Sequence, residues 1–402
     1  MTGLNEILLR MNSLSVLRDL LDDKVLSALR KFLSIAAENE KEKISAYGEF
    51  VYSLYSTGTE SLSGYIQKIV YESENAYVKA AGQNSLISDL LDSSFRKDLR
   101  TFEMIAGLTP EDLSSEMTGY DFLPGWYAEN VDIEKQYFLR IKDIRKYGYG
   151  IYAKHRMFYI DESGNITPVK NPDSTILSDL IDYEREQKII LDNTKALLAG
   201  SPAANILLTG DAGTGKSSTI KAVCNELADE GLRIIEVRKE QLHSIPGILD
   251  DLSINPLKFI LFIDDLSFSS DDDNFSALKA ILEGSVSAKS GNVVIYSTSN
   301  RRHLVKESFS DREGDDIHFN DTMQEILSLS ERFGIHLTFS RPDKATYLDI
   351  VHNLAEKHSI EYNAEKLDIA AEKFALKKGT RSARAAKQFI DGILAGNGEN
   401  IV

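Results

Sequence analysis

The chain has 402 residues, 42% hydrophobic and 27% charged; that composition can bury a core, and at about 150 residues per domain the length predicts two or three domains. Forty-six basic against 62 acidic side chains give a net charge of −16, which argues against a general polyanion binder whose affinity rests on neutralising phosphates. The longest apolar run, Phe259 to Ile263, is far shorter than the roughly 20 residues of a membrane helix, no secretory signal pattern opens the chain, and Cys224 is its one cysteine, so we expect a cytoplasmic protein with no membrane partner.

Residues 4 to about 118 carry apolar side chains at spacings of three and four, as in Leu4, Ile7, Leu8, Met11, the mark of successive amphipathic helices around a bundle core. Near Gly148 the texture changes. GIYAKHRMFYI, DESGN and ITPV read as two β-rich runs about a turn, a hairpin. Between Lys135 and Arg156 seven cations alternate with tyrosines; a solvated helix and hairpin is favoured there over a nucleic-acid contact, given the net acidity. Pro168 and Pro172 punctuate a boundary, so residues 1–170 are expected to form a mainly helical N-terminal domain.

From about residue 174, short apolar runs at Ile206 to Leu208, Ile234 to Val237, Phe259 to Ile263, Val293 to Tyr296 and Ile335 to Phe339 alternate with helical stretches. Such alternation implies right-handed crossovers and a mostly parallel sheet with helices on both faces. The last 60 residues return to helix, broken at Gly379-Thr380.

The most informative string is NILLTGDAGTGKSSTIKAV, in which Gly210, Gly215, Lys216 and Ser217 satisfy G-x-x-x-x-G-K-[ST], the Walker A pattern. A phosphate chain is a dense anion. Backbone N–H groups must approach it closely, and Gly210, Gly213 and Gly215 supply clearance and positive φ, with Asp211, Ala212, Thr214 and Ser218 completing the loop. Lys216 adds a point charge for the β and γ phosphates, Ser217 a hydroxyl for Mg²⁺, and the following helix its positive N-terminal end. A second metal anchor is expected at Asp264, which ends LKFILFIDD at the carboxyl edge of a buried strand. No N-K-x-D guanine string is present, which favours ATP over GTP. The acid run from Asp264 to Asp273 reads, at Asp271 to Asp273, as a solvated loop. The seven histidines show no zinc spacing, and Cys224 sits at an apolar helix position, more core than nucleophile.

Residues 174–395 resemble the AAA+ ATPases on three further strings. NVVIYSTSN resembles the family's sensor 1 motif, SLSERFG its arginine-finger box, and GTRSARAAKQFID the sensor 2 helix of its C-terminal lid. The resemblance implies that Asn300 orients the attacking water, that Arg332 reaches the γ-phosphate of a neighbouring subunit, and that Arg384, or Arg381 beside it, contacts the γ-phosphate from the lid. DLIDYEREQKIIL is similar to the adenine-side segment around Ile181 and Tyr183. DDLSF, STSNRRHL and SERFG together look closest to an uncharacterised bacterial family of predicted AAA+ ATP-binding proteins.

One residue departs from the AAA+ pattern. Most members carry glutamate where this chain has Asp265, one methylene shorter, and a general base must come within about 3 Å of its water. AAA+ replication initiators also carry Asp-Asp and act as slow switches, so slow Mg-ATP hydrolysis is implied. The expected architecture is an α/β P-loop NTPase with a parallel sheet over 171–341 and a helical lid over 342–402, behind a partner-binding helical domain at 1–170. The expected function is ATP hydrolysis that remodels or loads a protein or nucleoprotein client in a homo-oligomer; the alternative is an ATP-switched scaffold, with a P-loop kinase less favoured.

Overall fold

In the computed structural model, residues 3–36, 38–115, 117, 121–267, 273–283, 291–300 and 331–397 are described. They form two compact units that part between Lys154 and His155. No described helix is long and apolar enough to cross a membrane.

The first unit is helical: α1 (Gly3–Asn12), α2 (Lys24–Ser34), α3 (Glu40–Tyr55), α4 (Leu62–Glu72), α5 (Ala76–Gly82), α6 (Asp89–Ala106), α7 (Pro110–Ser114), α8 (Ile133–Lys142), α9 (Ile144–Tyr147) and α10 (Ile151–Lys154). Their starts are written locally, since Asp23, Ser61, Asn75, Ser88, Thr109 and Asp132 each accept a hydrogen bond from a first-turn amide that the helix itself leaves unpaired. In the core, Phe50 meets Trp126 edge-on at 5.1 Å, and the Trp126 indole donates to the Leu108 carbonyl at 2.8 Å. The buried carboxylate of Asp98 on α6 accepts the amides of Ser15, Val16 and Leu17 at 3.1, 2.7 and 3.0 Å, closing the loop after α1. Arg140 lies 4.2 Å from the Tyr147 ring and 5.2 Å from that of Tyr71. One cation of the basic stretch is thereby spent inside the unit, while Lys142, Arg145 and Lys146 stay exposed.

The second unit carries the sheet, built from β1 (Met157–Ile160), β2 (Ile166–Pro168), β3 (Ile206–Gly210), β4 (Leu232–Glu236), β5 (Lys258–Ile263), β6 (Val293–Ser299) and β7 (Ile335–Phe339) in the order β2-β1-β4-β5-β6-β3-β7. Among the described strands only the β1–β2 pair is antiparallel. Helices α11 (Glu184–Leu198), α12 (Lys216–Leu227), α13 (Ile245–Ser253) and α14 (Asp273–Glu283) alternate with the strands, and β4, β5 and β6 are buried along most of their length, which is why they read as unbroken apolar runs rather than alternating ones. On one face Ile206, Leu208, Ile260, Phe262 and Tyr296 pack with Ile220, Val223 and Cys224 of α12. This is an α/β P-loop fold. The expected hairpin exists, but it does not close the helical domain at residue 170: β1 pairs in parallel with β4, Met157 opposite Ile234, so the division falls at residue 154 and the hairpin extends the sheet.

After β7 come α15 (Lys344–Lys357), α16 (Ala364–Lys378) and α17 (Ala383–Gly392). Tyr347, Ile350, Val351, Leu367, Ala371, Ala386 and Ile390 form their common core, the small helical lid that the C-terminal texture predicts.

Candidate functional site

The glycine-rich loop connects β3 to α12. At Gly210 the backbone runs at φ 140°, and a Cβ would lie 2.0 Å from the Phe339 carbonyl oxygen, so only glycine lets β3 and β7 pair this closely where the loop begins. At Gly213, φ 82°, a Cβ would meet the Arg384 Cβ at 3.1 Å and Ser382 Oγ at 3.2 Å. There the lid rests on the loop, and the Arg384 amide donates to the Gly213 carbonyl at 3.3 Å.

Lys216 opens α12 and is buried. Its ammonium donates to the Gly210 and Asp211 carbonyls at 2.9 and 2.7 Å and to Asn300 Oδ1 at 3.0 Å. Burial pulls its pKa down, opposed by the carboxylates of Asp264, Asp211 and Asp265; it is a desolvated cation. Next to it, Ser217 Oγ donates to Asp264 Oδ1 at 2.6 Å. Asp264 stands exposed beyond the end of β5. Asp265 follows in the left-handed region, φ 52°, a conformation that costs a non-glycine residue about 1 kcal/mol, and its Oδ1 accepts from Asn300 Nδ2 at 2.7 Å. Asn300 therefore bridges Lys216 and Asp265.

On the other side of the cavity, Asp182 and Tyr183 are both left-handed, φ 75° and 69°. Gln187 Nε2 holds that turn by donating to the Leu180 and Asp182 carbonyls, each at 3.0 Å. The Tyr183 ring lies 4.6 Å from Phe339, its hydroxyl donates to the Ser340 carbonyl, and burial pushes its pKa up. Ile181 packs against the lid core.

These groups enclose a cavity of about 750 Å³, in the range of small-molecule sites. Of the residues singled out in the sequence, Ala212, Gly213, Thr214, Gly215, Lys216, Ser217, Ser218, Asp264, Asp265, Asn300, Ile181, Tyr183 and Arg384 line it, while Gly210 and Asp211 do not and instead hold Lys216 through their carbonyls. Arg332 lies in the turn before β7 and is not among the described residues that line the cavity. Arg381 is held away by a bidentate pair with Glu372 at 2.9 and 2.8 Å, so of the two lid arginines Arg384 faces the cavity. Asp271 and Asp272, Arg301 and Arg302, and the start of the SLSERFG string at 328–330 lie outside the described residues.

Several contributors escaped sequence reading. Thr298 Oγ1 joins Asp264 and Asp265, Gln187 sets the turn, Ile350 and Leu354 give an apolar wall from α15, Lys357 pairs with Asp179 at 2.5 Å, and Arg341 Nε reaches Asp211 Oδ2 at 3.2 Å. Only Thr298 left a trace, inside the polar STSN cluster at the end of a strand. A metal would find a hydroxyl and a carboxylate, Ser217 and Asp264, 2.6 Å apart. Their all-oxygen chemistry suits a hard cation such as Mg²⁺, which Ser217 and Asp264 would hold in place of the hydrogen bond they now share.

Against known proteins, residues 153–397 match a family described as "Protein of unknown function (DUF815)". No curated protein matches the chain in sequence. Among solved structures it is similar to the Thermotoga maritima RuvB Holliday junction branch migration motor, 14% identical over 54% of this chain and 71% of that one, with a TM-score of 0.33. A mutant of the same RuvB matches at the same identity and coverage with a TM-score of 0.34. With more than half of its length inside the family match, the chain belongs to DUF815.

Proposed function

We propose that the second unit binds Mg-ATP in this cavity and hydrolyses it slowly, as an AAA+-type ATPase that remodels or loads a macromolecular client. The observation that carries this reading is the 2.6 Å contact between Ser217 Oγ and Asp264 Oδ1, beside the buried Lys216 ammonium: a hydroxyl and a carboxylate from separate elements meet where a phosphate-bound ion would sit. A bound magnesium, held by Ser217 and Asp264, would neutralise charge on the phosphate chain.

The residues divide the remaining work. Gly213, Thr214, Gly215 and Ser218 present the backbone of the loop and of the first turn of α12 to the phosphates, and Lys216 exchanges its carbonyl partners for phosphate oxygens. Asp265 takes the proton of the attacking water at its carboxylate, with the Asn300 amide orienting that water. Arg384 faces the phosphates from the lid, and Arg332, which lies off its own chain's cavity, completes the site of a second copy. Ile181, Tyr183, Ile350 and Leu354 take the base, and the helical unit at 1–154 holds the protein or nucleoprotein client.

A second reading is an ATP-switched scaffold with little turnover. It is favoured by one observation: Asn300 is already engaged by both Lys216 and Asp265, so the water-orienting groups must be freed before chemistry. ATPase rate against protein concentration separates the two. A steep rise that Arg332→Ala abolishes, while ATP binding measured by calorimetry is spared, supports the oligomeric hydrolase; ATP binding with no turnover at any concentration supports the scaffold. Lys216→Ala is expected to remove binding, and unchanged affinity would refute the site.

A further inference from the structure

Thr298 is 2% exposed and next to last in β6. Regular pairing of β5 with β6 ends at Ile263 opposite Ser297. Beyond that point the chain turns through Asp264 and the left-handed Asp265, and the Leu266 amide returns to the Thr298 carbonyl at 2.7 Å. The Thr298 hydroxyl lies against this turn. It accepts from the Asp265 amide at 2.9 Å and donates to Asp264 Oδ1, the oxygen that also accepts from Ser217. A hydroxyl has one proton to give and lone pairs to receive with. Here both capacities are used on two consecutive acids with different tasks, Asp264 aimed at Ser217 and Asp265 at Asn300.

We propose that Thr298 is a positioning residue: it sets the carboxylate of Asp264 for Mg²⁺ and locks Asp265 into the turn that carries its short side chain to Asn300. The inference rests on reading the cavity as a Mg-ATP site. Groups that orient a metal ligand from behind commonly change metal affinity by about 10- to 100-fold when removed. Valine keeps the branched shape that packs in the strand and forfeits both hydrogen bonds.

The test uses the full chain with Thr298→Val, Thr298→Ala and Thr298→Ser, titrated with ATP by calorimetry over a series of Mg²⁺ concentrations. Without Mg²⁺ all four proteins should bind ATP alike. The Mg²⁺ needed for half of its full effect on ATP affinity should rise about tenfold in the valine and alanine variants and stay within about twofold in the serine variant, which restores the hydroxyl. In turnover the same two should lose kcat by about tenfold or more with KM little moved. A wild-type Mg²⁺ requirement in Thr298→Val overturns the proposal. Should that variant not fold, the alanine and serine variants decide it, since both lose the methyl group and only one loses the hydroxyl; equal behaviour overturns the proposal. A wild-type chain that binds no ATP at any Mg²⁺ concentration overturns the reading of the cavity itself, an outcome distinct from bound ATP with a Mg²⁺ requirement indifferent to Thr298.

Discussion

The helical unit and the sheet unit both tie polar and charged side chains into hydrogen-bonded sets, buried in the first and, around the buried Lys216 and Thr298, partly exposed in the second, and they differ in where those groups point. In the helical unit Asp98 ties down three loop amides, the Trp126 indole caps a carbonyl and Arg140 lies between two tyrosine rings. Each is matched on the spot, with its partner from the same unit. In the sheet unit Lys216, Thr298, Asn300, Asp264 and Asp265 form one connected set at the carboxyl ends of β3, β5 and β6, and all of them face one cavity. A buried polar group satisfied by its own core stabilises the fold. A desolvated cation held by carbonyls at a cavity wall, such as Lys216, is instead the kind of group that makes a candidate functional site.

The sharpest way to break this contrast is to neutralise one member of each set. Lys216→Met should lower ATP affinity by more than about a hundredfold, on the order of 3 kcal/mol, while leaving the unfolding free energy of the sheet unit unchanged or raised, because a desolvated ammonium is replaced by an apolar chain. Calorimetry and a denaturant titration read the two halves; a protein that loses stability along with affinity would make Lys216 a fold residue. Asp98→Ala should do the reverse, destabilising the helical unit by about 3 kcal/mol because three amides lose their acceptor. The single tryptophan, Trp126, lies in that unit's core, so its fluorescence follows this melting alone, and ATP affinity should be retained.

A smaller effect tests whether Cys224 belongs to the core or to the site. Burial holds its thiol up at about 12, against an ordinary 9. Above pH 9 the unfolded chain has released this proton while the folded chain keeps it, so stability falls as pH rises, by about 1 kcal/mol between pH 9 and 10 and by up to about 1.4 kcal/mol per unit beyond, until pH reaches about 12. Cys224→Ala should remove that slope from the pH dependence of unfolding, and an unchanged slope would assign it to other groups. Smallest of all, Lys357→Met breaks the pair with Asp179, whose lysine side chain is 53% exposed. Salt screening and side-chain entropy leave such a pair about 0.5 kcal/mol, so the lid should melt nearly as before.

Much of the site was legible because its demands are local. A strand end that pairs closely with β7 needs glycine at Gly210, a strand that delivers a carboxylate reads as apolar residues ending in Asp264, and helix starts carry their own caps. What escaped depends on partners distant in sequence. The hairpin at 157–168 reads correctly as a hairpin, yet that β1 extends the sheet is set by its pairing with β4, more than 70 residues on. Gln187 looks like an ordinary polar helix residue until the left-handed turn at Asp182 and Tyr183 places two carbonyls over it.

By itself the sequence determined that β3 leads through a glycine-rich loop into α12 and that Asp264 ends a buried strand, because backbone clearance and strand burial are requirements that neighbouring residues must meet. Only the tertiary structure decided which side chains complete them. The register of β5 against β6 brings the Thr298 hydroxyl onto both acids, and the packing of the lid turns Arg384 toward the cavity and Arg381 toward Glu372. Such juxtapositions arise from how separate elements align across the sheet and the lid, and no stretch of contiguous residues encodes them.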